Sequence, residues 1–443
     1  MPRNPGSRSK YIMAGELRAC AIALIILLSV CLADARASTV LAVIGDYGQP
    51  DAGAASVANM VASSNWQSDY VLTLGDNNYG GVDVGDEDWE GILGARYGQF
   101  MKPRTGPGAN PYPLQTSAVQ RFFPAVGNHD IDSQGTIAGY LDYFHADPGA
   151  AGRLPAGVHA DTHSYYDFSM PIEGGSGSVR VFAMDSESYA ASSASRSDQI
   201  AWLRDGLGNS TATWNFVTLH RPSFSSSQLH GSDPLMQLPF QQWGAHAVLA
   251  GHAHLYERLR VTDATQEEML YFVNGLGGAA TYNFGARAPG SEFRFNESRG
   301  AMRVTVTDLE ARFEFLGVDV GEDGLNGGAL IDSFTLLKSN LPTPPELTAD
   351  FNDDDFVDDA DLLIWRSAFG VSDLADADGD GASGGDDFLA WQSQRSPFRD
   401  AASLIVAVPE PAAGSLLGLA IGLLAAYRSA ITRAKTRFCR VWQ

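Results

Sequence analysis

Five short polar motifs lie in order between residues 45 and 254, and each follows an apolar run. They are Gly45-Asp-Tyr-Gly48, Gly75-Asp-Asn-Asn-Tyr79, Gly127-Asn-His-Asp130, Val217-Thr-Leu-His220 and Gly251-His-Ala-His254. Carboxylate, amide, phenol and imidazole groups are common oxygen and nitrogen ligands of metal ions in proteins. One such motif alone is typical of a turn, whereas five in order indicate a shared metal site.

The elements that must position these motifs are short apolar runs rich in β-branched residues. Nine runs are predicted as strands: Thr39–Ile44, Tyr70–Leu74, Phe122–Val126, Val179–Met184, Trp214–Leu219, Ala247–Ala250, Met269–Val273, Met302–Thr307 and Ala311–Leu316. Gln199–Leu207 and Leu235–Trp243 are predicted as helices. Because strand C-termini carry the site in α/β folds, the motifs are expected to converge.

Composition limits both the partners and the ligand types. The chain has 443 residues, 44% of them hydrophobic, and a formal net charge of -22. Residues 38–411 hold 20 of the 30 basic and 50 of the 52 acidic residues, a net charge of -30, and no cysteine. Such acidity disfavours a nucleic-acid polymer as partner. The three cysteines (Cys20, Cys31 and Cys439) leave this region without disulfides or thiolate ligands.

Together the five motifs resemble those of the binuclear metallophosphoesterases, and within them the small, mammalian-type purple acid phosphatases. Tyr79 follows Asp76 by three residues, where purple acid phosphatases supply a phenolate. Gly48 stands where many other metallophosphoesterases have a metal-binding histidine. The resemblance covers about residues 38–337 and implies the α/β fold class, a four-layer α/β/β/α sandwich of two mixed sheets.

The resemblance also implies how the ligands are divided between two metal ions. The ligands of a ferric ion would be Asp46, Tyr79 and His254, those of a divalent zinc, iron or manganese ion would be Asn128, His220 and His252, and Asp76 would bridge the two. Hard carboxylate and phenolate oxygens suit a trivalent ion, and neutral imidazole and amide groups suit a divalent one.

The activity implied is that of a secreted acid phosphatase that hydrolyses phosphate monoesters through a metal-bound hydroxide. His129 and His230 are the candidates for contacting the phosphate and protonating the leaving group. The alternative for His230 is a plain histidine of a surface loop. Two further interpretations stay open: a phosphodiesterase or nucleotidase using the same site, and a non-catalytic, calcium-dependent surface or matrix protein.

An acidic repeat with a period of 26 residues follows the catalytic region. Its two 12-residue loops place oxygen donors at loop positions 1, 3, 5 and 12, namely Asp350, Asn352, Asp354 and Asp361, then Asp376, Asp378, Asp380 and Asp387. This spacing predicts Ca²⁺ loops, and Gly381 occupies the sixth position, where the chain must turn sharply. Aspartate at position 12 resembles a type I dockerin, which implies a cohesin-like or envelope partner. The module alternatively folds only as a spacer.

Both ends of the chain resemble targeting segments. A basic stretch, an apolar run and Ala35-Arg-Ala37 predict a signal peptide cleaved after residue 37. Val408-Pro-Glu-Pro411, an apolar run and a basic end resemble the PEP-CTERM sorting signal of Gram-negative bacteria, with a permanent membrane anchor as the alternative. We therefore expect export to the cell envelope or the extracellular space.

The predicted division of the chain has six parts. They are the signal peptide 1–37, the metallophosphoesterase domain 38–338, a Pro-rich linker 339–346, the dockerin-like calcium-binding repeat 347–396, a second linker 397–407 and the sorting signal with its membrane helix 408–443.

Overall fold

The computed structural model describes residues 38–103, 112–144, 164–262, 268–319, 321–341, 348–352, 357 and 359–394. The chain divides into two compact units, Met1–Pro344 and Pro345–Gln443. The predicted signal peptide, the second linker and the sorting signal lie outside the described residues. Among the described helices, none combines the length and the apolar character needed to cross a membrane.

Two sheets form the first unit. The strands are β1 Thr39–Ile44, β2 Tyr70–Thr73, β3 Phe122–Phe123, β4 Tyr166–Pro171, β5 Ser178–Ala183, β6 Trp214–Leu219, β7 Ala247–Ala250, β8 Tyr256–Thr262, β9 Glu268–Asn274, β10 Ser291–Phe295, β11 Arg299–Val306, β12 Glu310–Val318 and β13 Ala329–Leu337. The strand orders are β13-β12-β11-β1-β2-β3 and β10-β8-β9-β7-β6-β5-β4.

Both sheets are mixed, as predicted. In the first, β1, β2 and β3 are parallel neighbours, while β1 pairs antiparallel with β11. In the second, β5, β6, β7 and β9 run parallel in that order. The parallel strands lie at one end of the first sheet and in the middle of the second, and they are the ones whose carboxyl ends can carry a shared site.

Alternate residues of each strand enter different cores, as the two-residue period of a strand requires. Leu41 and Val43 of β1 are buried together with Phe216 of β6 in the core between the sheets. Ala42 and Ile44 belong to a second core on the other face of the first sheet. β1 is thus buried on both faces, which explains its continuous apolar sequence.

Helices cover the outer faces. The α-helices among the described residues of the first unit are α1 Ala52–Ala62, α2 Ala95–Tyr97, α3 Ala138–Phe144, α4 Ser186–Ala191 and α5 Ser193–Gly208. The N-terminus of α1 is capped by Asp51, whose Oδ1 accepts the Ala54 N–H at 2.9 Å. α1 buries Val57 in the core behind the first sheet, and α5 buries Leu203 behind the second. Helix, sheet, sheet and helix make the four predicted layers.

One predicted helix is wrong. Instead of a helix over Leu235–Trp243, the chain forms a single 3₁₀ turn at Pro234–Met236 and then irregular turns. Pro239 lies in the middle of the predicted span, where it has no N–H to donate and disfavours helical backbone at the residue before it.

The described residues of the second unit form two helices, α6 Asp359–Ala368 and α7 Gly385–Gln394. Ala349, Val357 and Trp391 are buried in its small core. The Trp365 indole N–H donates to the Gly384 carbonyl at 2.8 Å and so ties α6 to the segment that enters α7.

Candidate metal sites

The carboxyl ends of five parallel strands bring the polar motifs of the first unit together. Asp46 follows β1 and Asp76 follows β2. Asn128 begins a 3₁₀ turn after β3, whereas His220 directly follows β6. The segment after β7 supplies His252 and His254, so both sheets contribute side chains to the same place.

The backbone at the strand ends is strained. Asp46, Asp76 and His252 have positive φ angles of 56°, 54° and 66°. Left-handed backbone at a non-glycine residue costs on the order of 1–3 kcal/mol and is concentrated at functional sites. Gly75 also has a positive φ of 87°, and a Cβ there would collide with the His220 ring. The turns therefore aim these side chains at one another at the expense of local backbone energy.

The first group of donor atoms surrounds the Tyr79 hydroxyl. That oxygen lies 3.3 Å from Asp46 Oδ1, 2.9 Å from Asp76 Oδ2 and 3.2 Å from His254 Nε2. His254 Nε2 is in turn 3.2 Å from Asp46 Oδ1. Asp46 and Asp76 are buried, and Tyr79 is half-buried. Asp46, Asp76 and His254 each offer an atom to one possible metal position.

The second group surrounds Nε2 of the fully buried His220. This nitrogen lies 3.0 Å from Asn128 Oδ1, 3.3 Å from Asp76 Oδ1 and 3.1 Å from His252 Nδ1. Asp76 thus directs one carboxylate oxygen to each group. The structure brings together all seven side chains that the sequence predicts as ligands of two ions.

Hydrogen bonds to backbone carbonyls assign the tautomers of two imidazoles. His220 Nδ1 lies 2.7 Å from the Leu74 carbonyl oxygen, and His254 Nδ1 lies 2.7 Å from that of Ala280. A carbonyl only accepts, so each Nδ1 carries the hydrogen, and Nε2 is the ring nitrogen that a metal ion could bind. A carbonyl partner of this kind is usual for metal-bound histidine. The donor set therefore fits metal ions.

Burial shapes the protonation of the metal-free site. Burial raises the pKa of the Tyr79 phenol far above its usual value, and the charges of Asp46 and Asp76 add to this shift. Burial, together with the charge of His220, lowers the pKa of His252 to about 2. His252 is therefore a neutral imidazole suited to a metal ion, and a phenolate at Tyr79 requires a cation beside it.

The two histidines predicted to contact phosphate lie next to the donor groups. The exposed His129 ring is 4.3 Å from the Tyr79 ring, and its backbone N–H donates to Asp76 Oδ1 at 2.8 Å. The half-buried His230 ring is 4.0 Å from the His252 ring. Both imidazoles are therefore within reach of a ligand bound at the donor cluster.

A buried polar network behind the site was not predicted. The Asp130 carboxylate accepts the backbone N–H groups of Asn77, Asn78 and Gly127 at 2.9, 3.2 and 2.8 Å, and the Asn77 side-chain amide at 2.6 Å. It joins the loop after β2 to the loop after β3. The place of Asp130 directly after His129, at the end of the third motif, is the sequence signal that could have identified this role.

Tyr282 is a second residue that the sequence reasoning missed. Its ring stacks on the His254 ring at 4.0 Å with an interplanar angle of 14°, and the two are far apart in the sequence. It belongs to no polar motif, so no local pattern could have revealed it.

In the second unit, three acidic side chains of the second repeat cluster. Asp376, Asp378 and Asp380 offer carboxylate oxygens within 4.8 Å of one another, and Gly381 has a positive φ of 88°. Asp387 instead turns back to accept the Ala377 N–H at 2.6 Å.

The first repeat shows the same turn. Asp361 accepts the Phe351 N–H at 2.8 Å, which is the equivalent bond one repeat earlier. Asp350 and Asn352 are described, whereas the predicted ligand Asp354 lies outside the described residues.

Comparison with known proteins gives a match to one family profile and a set of similar folds. Residues 39–256 match the profile of the calcineurin-like phosphoesterase family. GAP50, the anchor in the inner membrane complex of Plasmodium, is 17% identical, with 69% of this chain and 96% of that chain covered and a TM-score of 0.49. No curated protein matches this chain at a significant level.

Two further solved structures are also similar. The purple acid phosphatase PPD1 from yellow lupin seeds is 15% identical, with 68% of this chain and 54% of that chain covered and a TM-score of 0.47. PhoD is 19% identical, with 68% of this chain and 70% of that chain covered and a TM-score of 0.42. The chain therefore spans about half of the lupin protein.

Proposed function

We propose that this protein, whose residues 39–256 match the calcineurin-like phosphoesterase family, is a phosphatase of the purple acid type that hydrolyses phosphate monoesters. The observation that carries the proposal is the position of Asp76. Its Oδ2 lies 2.9 Å from the Tyr79 oxygen and its Oδ1 lies 3.3 Å from His220 Nε2. One carboxylate is thus placed to join two cation positions.

The donor types suggest which ion each position holds. The ligands of a ferric ion would be Asp46, Tyr79, His254 and Asp76, and those of a zinc, ferrous or manganese ion would be Asn128, His220, His252 and Asp76. Bound metals of this kind neutralise phosphate charge and activate water for attack on phosphorus.

The side chains around the donors supply binding and proton transfer. His129 is held by the contact of its ring with the tilted Tyr79 ring and by the hydrogen bond from its backbone N–H to Asp76. Its exposed ring is free to donate a hydrogen bond to a phosphate oxygen. The His230 ring packs beside His252 and is the candidate that protonates the leaving oxygen. These ring contacts orient both imidazoles before a substrate arrives.

Electrostatics supports the need for metal ions. The region 38–411 has a net charge of -30, and Asp46 and Asp76 are buried side by side. Without cations this environment repels a phosphate dianion. With them, the local positive charge provides the attraction that the surrounding protein lacks.

The test of this function combines colour, metal content and turnover of the full chain. A phenolate bound to a ferric ion absorbs visible light, so oxidised, metal-loaded protein should be coloured and Tyr79→Phe should be colourless. Tyr282→Phe, which changes a phenol outside the donor set, is the matched control and should keep the colour. A colourless wild-type protein with full metal content would contradict the purple-type assignment.

Paired ester substrates test the substrate class. We expect phenyl phosphate to be hydrolysed with a higher kcat/KM than diphenyl phosphate or a cyclic nucleotide. If the diester or the cyclic nucleotide has the higher kcat/KM, the protein is a phosphodiesterase that uses the same metal site.

We further propose that the second unit binds Ca²⁺ and resembles a dockerin module. The supporting observations are the carboxylate cluster of Asp376, Asp378 and Asp380 and the matched turns at Asp361 and Asp387. Carboxylate oxygens on one short loop suit this hard cation. The module would bind a cohesin-like or envelope protein. A pull-down with and without Ca²⁺ tests whether such a partner binds.

We also propose that the protein is exported to the envelope or the medium of a Gram-negative cell. The proposal rests on the sequences of residues 1–37 and 408–443. Fractionation of cells expressing the full chain tests it, since a mature N-terminus at residue 38 in the envelope or medium is expected and an uncleaved cytoplasmic product would refute it.

A further inference from the structure

A rim beside the donor cluster is built from two loops. The first, residues 225–231, carries His230, and the second, residues 279–288, carries Tyr282. A β-bridge joins Ser227 to Phe284. The Gln228 N–H donates to the Asn283 carbonyl at 3.0 Å, and the Gly285 N–H donates to the Ser226 carbonyl at 2.7 Å. The two loops therefore form one hydrogen-bonded unit.

A buried carboxylate anchors this rim to the second sheet. Glu257 of β8 is fully buried. It accepts the Ser226 N–H at 2.6 Å and the Ser226 hydroxyl at 2.5 Å. The Ser226 hydroxyl oxygen also accepts the Ala288 N–H at 2.8 Å. The Ser226 side chain, held by Glu257, therefore connects both loops. A rim fixed in this way presents its side chains in one arrangement.

The backbone of Tyr282 is fixed on both sides of its side chain. Its N–H donates to the His254 carbonyl at 2.9 Å. Its carbonyl accepts the side-chain amide of Asn296 at 2.7 Å. Two residues earlier, the Ala280 carbonyl accepts from His254 Nδ1. The position of the Tyr282 ring is therefore tied to the donor cluster itself.

The Tyr282 ring is placed as a wall of the site. One side stacks on His254 at 4.0 Å, and the His230 ring lies 5.5 Å away. The side chain is only half-buried, so part of it remains open to solvent. Leu229, next to His230, is 67% exposed and adds apolar surface to the same loop. A rigid, partly exposed phenol ring beside an apolar group favours contact with another aromatic ring.

We propose that Tyr282 determines specificity by stacking with an aromatic ring in the leaving group of the substrate. The inference rests on the proposed function, because it assumes that the phosphoryl group occupies the donor cluster. The aromatic ring is either an aryl group close to phosphorus or the base of a nucleotide, and both offer the flat face that Tyr282 would contact.

Binding of phosphonates tests the inference without requiring turnover. Calorimetry on the metal-loaded full chain compares benzylphosphonate with cyclohexylmethylphosphonate, which differ in aromatic character and little in size. We expect the benzyl compound to bind about 3- to 10-fold more tightly, the range of an aromatic pair. In Tyr282→Leu the ratio should fall to about one, whereas Tyr282→Phe, which keeps the ring, should preserve it.

A second pair distinguishes the two sources of the ring. The methylenephosphonate analogues of adenosine 5′-phosphate and ribose 5-phosphate differ at the first ribose carbon, which carries the base in one and a hydroxyl group in the other. A Tyr282-dependent preference confined to this pair would identify the ring as a nucleobase, and one confined to the benzyl pair would identify it as an aryl group.

Clear outcomes overturn the inference. If wild-type protein binds both members of each pair with equal affinity, the inference is wrong, even if Tyr282→Leu loses its metals. A ratio that is the same in wild type and in metal-loaded Tyr282→Leu would also overturn it. If the Tyr282-dependent preference is found but no phosphate ester is hydrolysed, the specificity inference stands and the proposed hydrolysis fails.

Discussion

The two candidate metal sites of this protein hold their donors in opposite ways. In the first unit, seven donors come from five separated segments, and Asp46, Asp76, His220 and His254 are buried. In the second unit, Asp376, Asp378 and Asp380 come from one loop, and the last two are exposed. The first arrangement depends on the whole fold, whereas the second depends on a dozen consecutive residues.

The difference concerns preorganisation. Strained backbone and outer hydrogen bonds hold the buried donors in place, as the positive φ of Asp76 and the bond from His254 to Ala280 illustrate. In the acidic loop the carboxylates accept backbone N–H groups instead, for example Asp376 Oδ2 from Gly381 at 2.8 Å. We therefore expect single substitutions to have large effects on chemistry at the first site and modest effects on stability at the second.

The largest effect is expected from Asp76→Asn. The amide removes the charge that both donor groups share, so both ions should bind more weakly and kcat/KM should fall on the order of 10³-fold. Metal analysis and steady-state kinetics measure the two losses. Asp198→Asn, which changes an exposed acid on α5, is the control. Full activity with full metal content in Asp76→Asn would contradict the shared-carboxylate interpretation.

Asp130→Asn tests the support behind the first site. All four groups bonded to this carboxylate are donors, and each oxygen accepts two of them, so the amide must place its own NH₂ against two donors. Outer residues of this kind change metal affinity or activity by about 10- to 100-fold. Competition with a chelator measures the metal affinity.

A matched substitution at Asp308 separates the effect of Asp130 on metal affinity from its effect on the stability of the loops. Asp308 also caps a loop, accepting the Gly177 N–H at 2.9 Å and the Ser176 N–H at 2.9 Å, and it belongs to neither donor group. Asp308→Asn should lower stability without changing metal affinity. Equal losses of metal affinity in both variants would show that Asp130 has no special role.

Calcium should stabilise only the second unit. At a Ca²⁺ concentration ten times Kd, the gain in its unfolding free energy is about 1.4 kcal/mol. Asp378→Asn should reduce this gain and Asp373→Asn, an exposed acid before the loop, should not. Scanning calorimetry with Ca²⁺ or with a calcium chelator measures it. Loss of ester hydrolysis on selective calcium removal would contradict the independence of the two sites.

The smallest effect concerns a histidine that belongs to neither site. His246 Nδ1 accepts the Asn215 N–H at 2.9 Å, and burial, with the charge of Lys338, lowers its pKa to about 3. As the pH falls below the ordinary histidine value, the unfolded chain takes up a proton that the folded chain excludes. Stability should therefore decrease by about 0.8 kcal/mol between pH 8 and pH 6.

Urea unfolding of wild type and His246→Asn at both pH values measures this contribution. The variant should lose the part of the pH dependence that His246 supplies. Identical slopes would show that the ring nitrogen is not shielded from protonation in the folded state.

The fold was predictable where strands are buried on both faces. Trp214–Leu219 and Ala247–Ala250 were predicted with the observed bounds because every residue in them is buried. Strand Tyr256–Thr262 was missed because charged residues interrupt it. Its Glu257 is satisfied by Ser226 and its Arg258 by Asp332 at 2.9 Å, and neither partner is near in sequence.

Some residues of the candidate site could likewise be predicted from the local sequence, and others could not. The donors could be predicted because their side-chain types and local motifs are written in the chain. The Ala280 carbonyl that assigns the His254 tautomer and the ring of Tyr282 could not, since their roles exist only once the loop of residues 279–288 contacts His254.

The left-handed backbone at Asp46, Asp76 and His252 lowers the stability of the fold, although the metal donors require it. Glycine would relieve about 1–3 kcal/mol of strain at each position, but it would delete a metal donor. Random mutagenesis scored only for heat resistance should therefore accumulate glycine at these three places. The surviving clones would be robust and inert, so any thermostabilisation of this protein has to be selected on turnover as well.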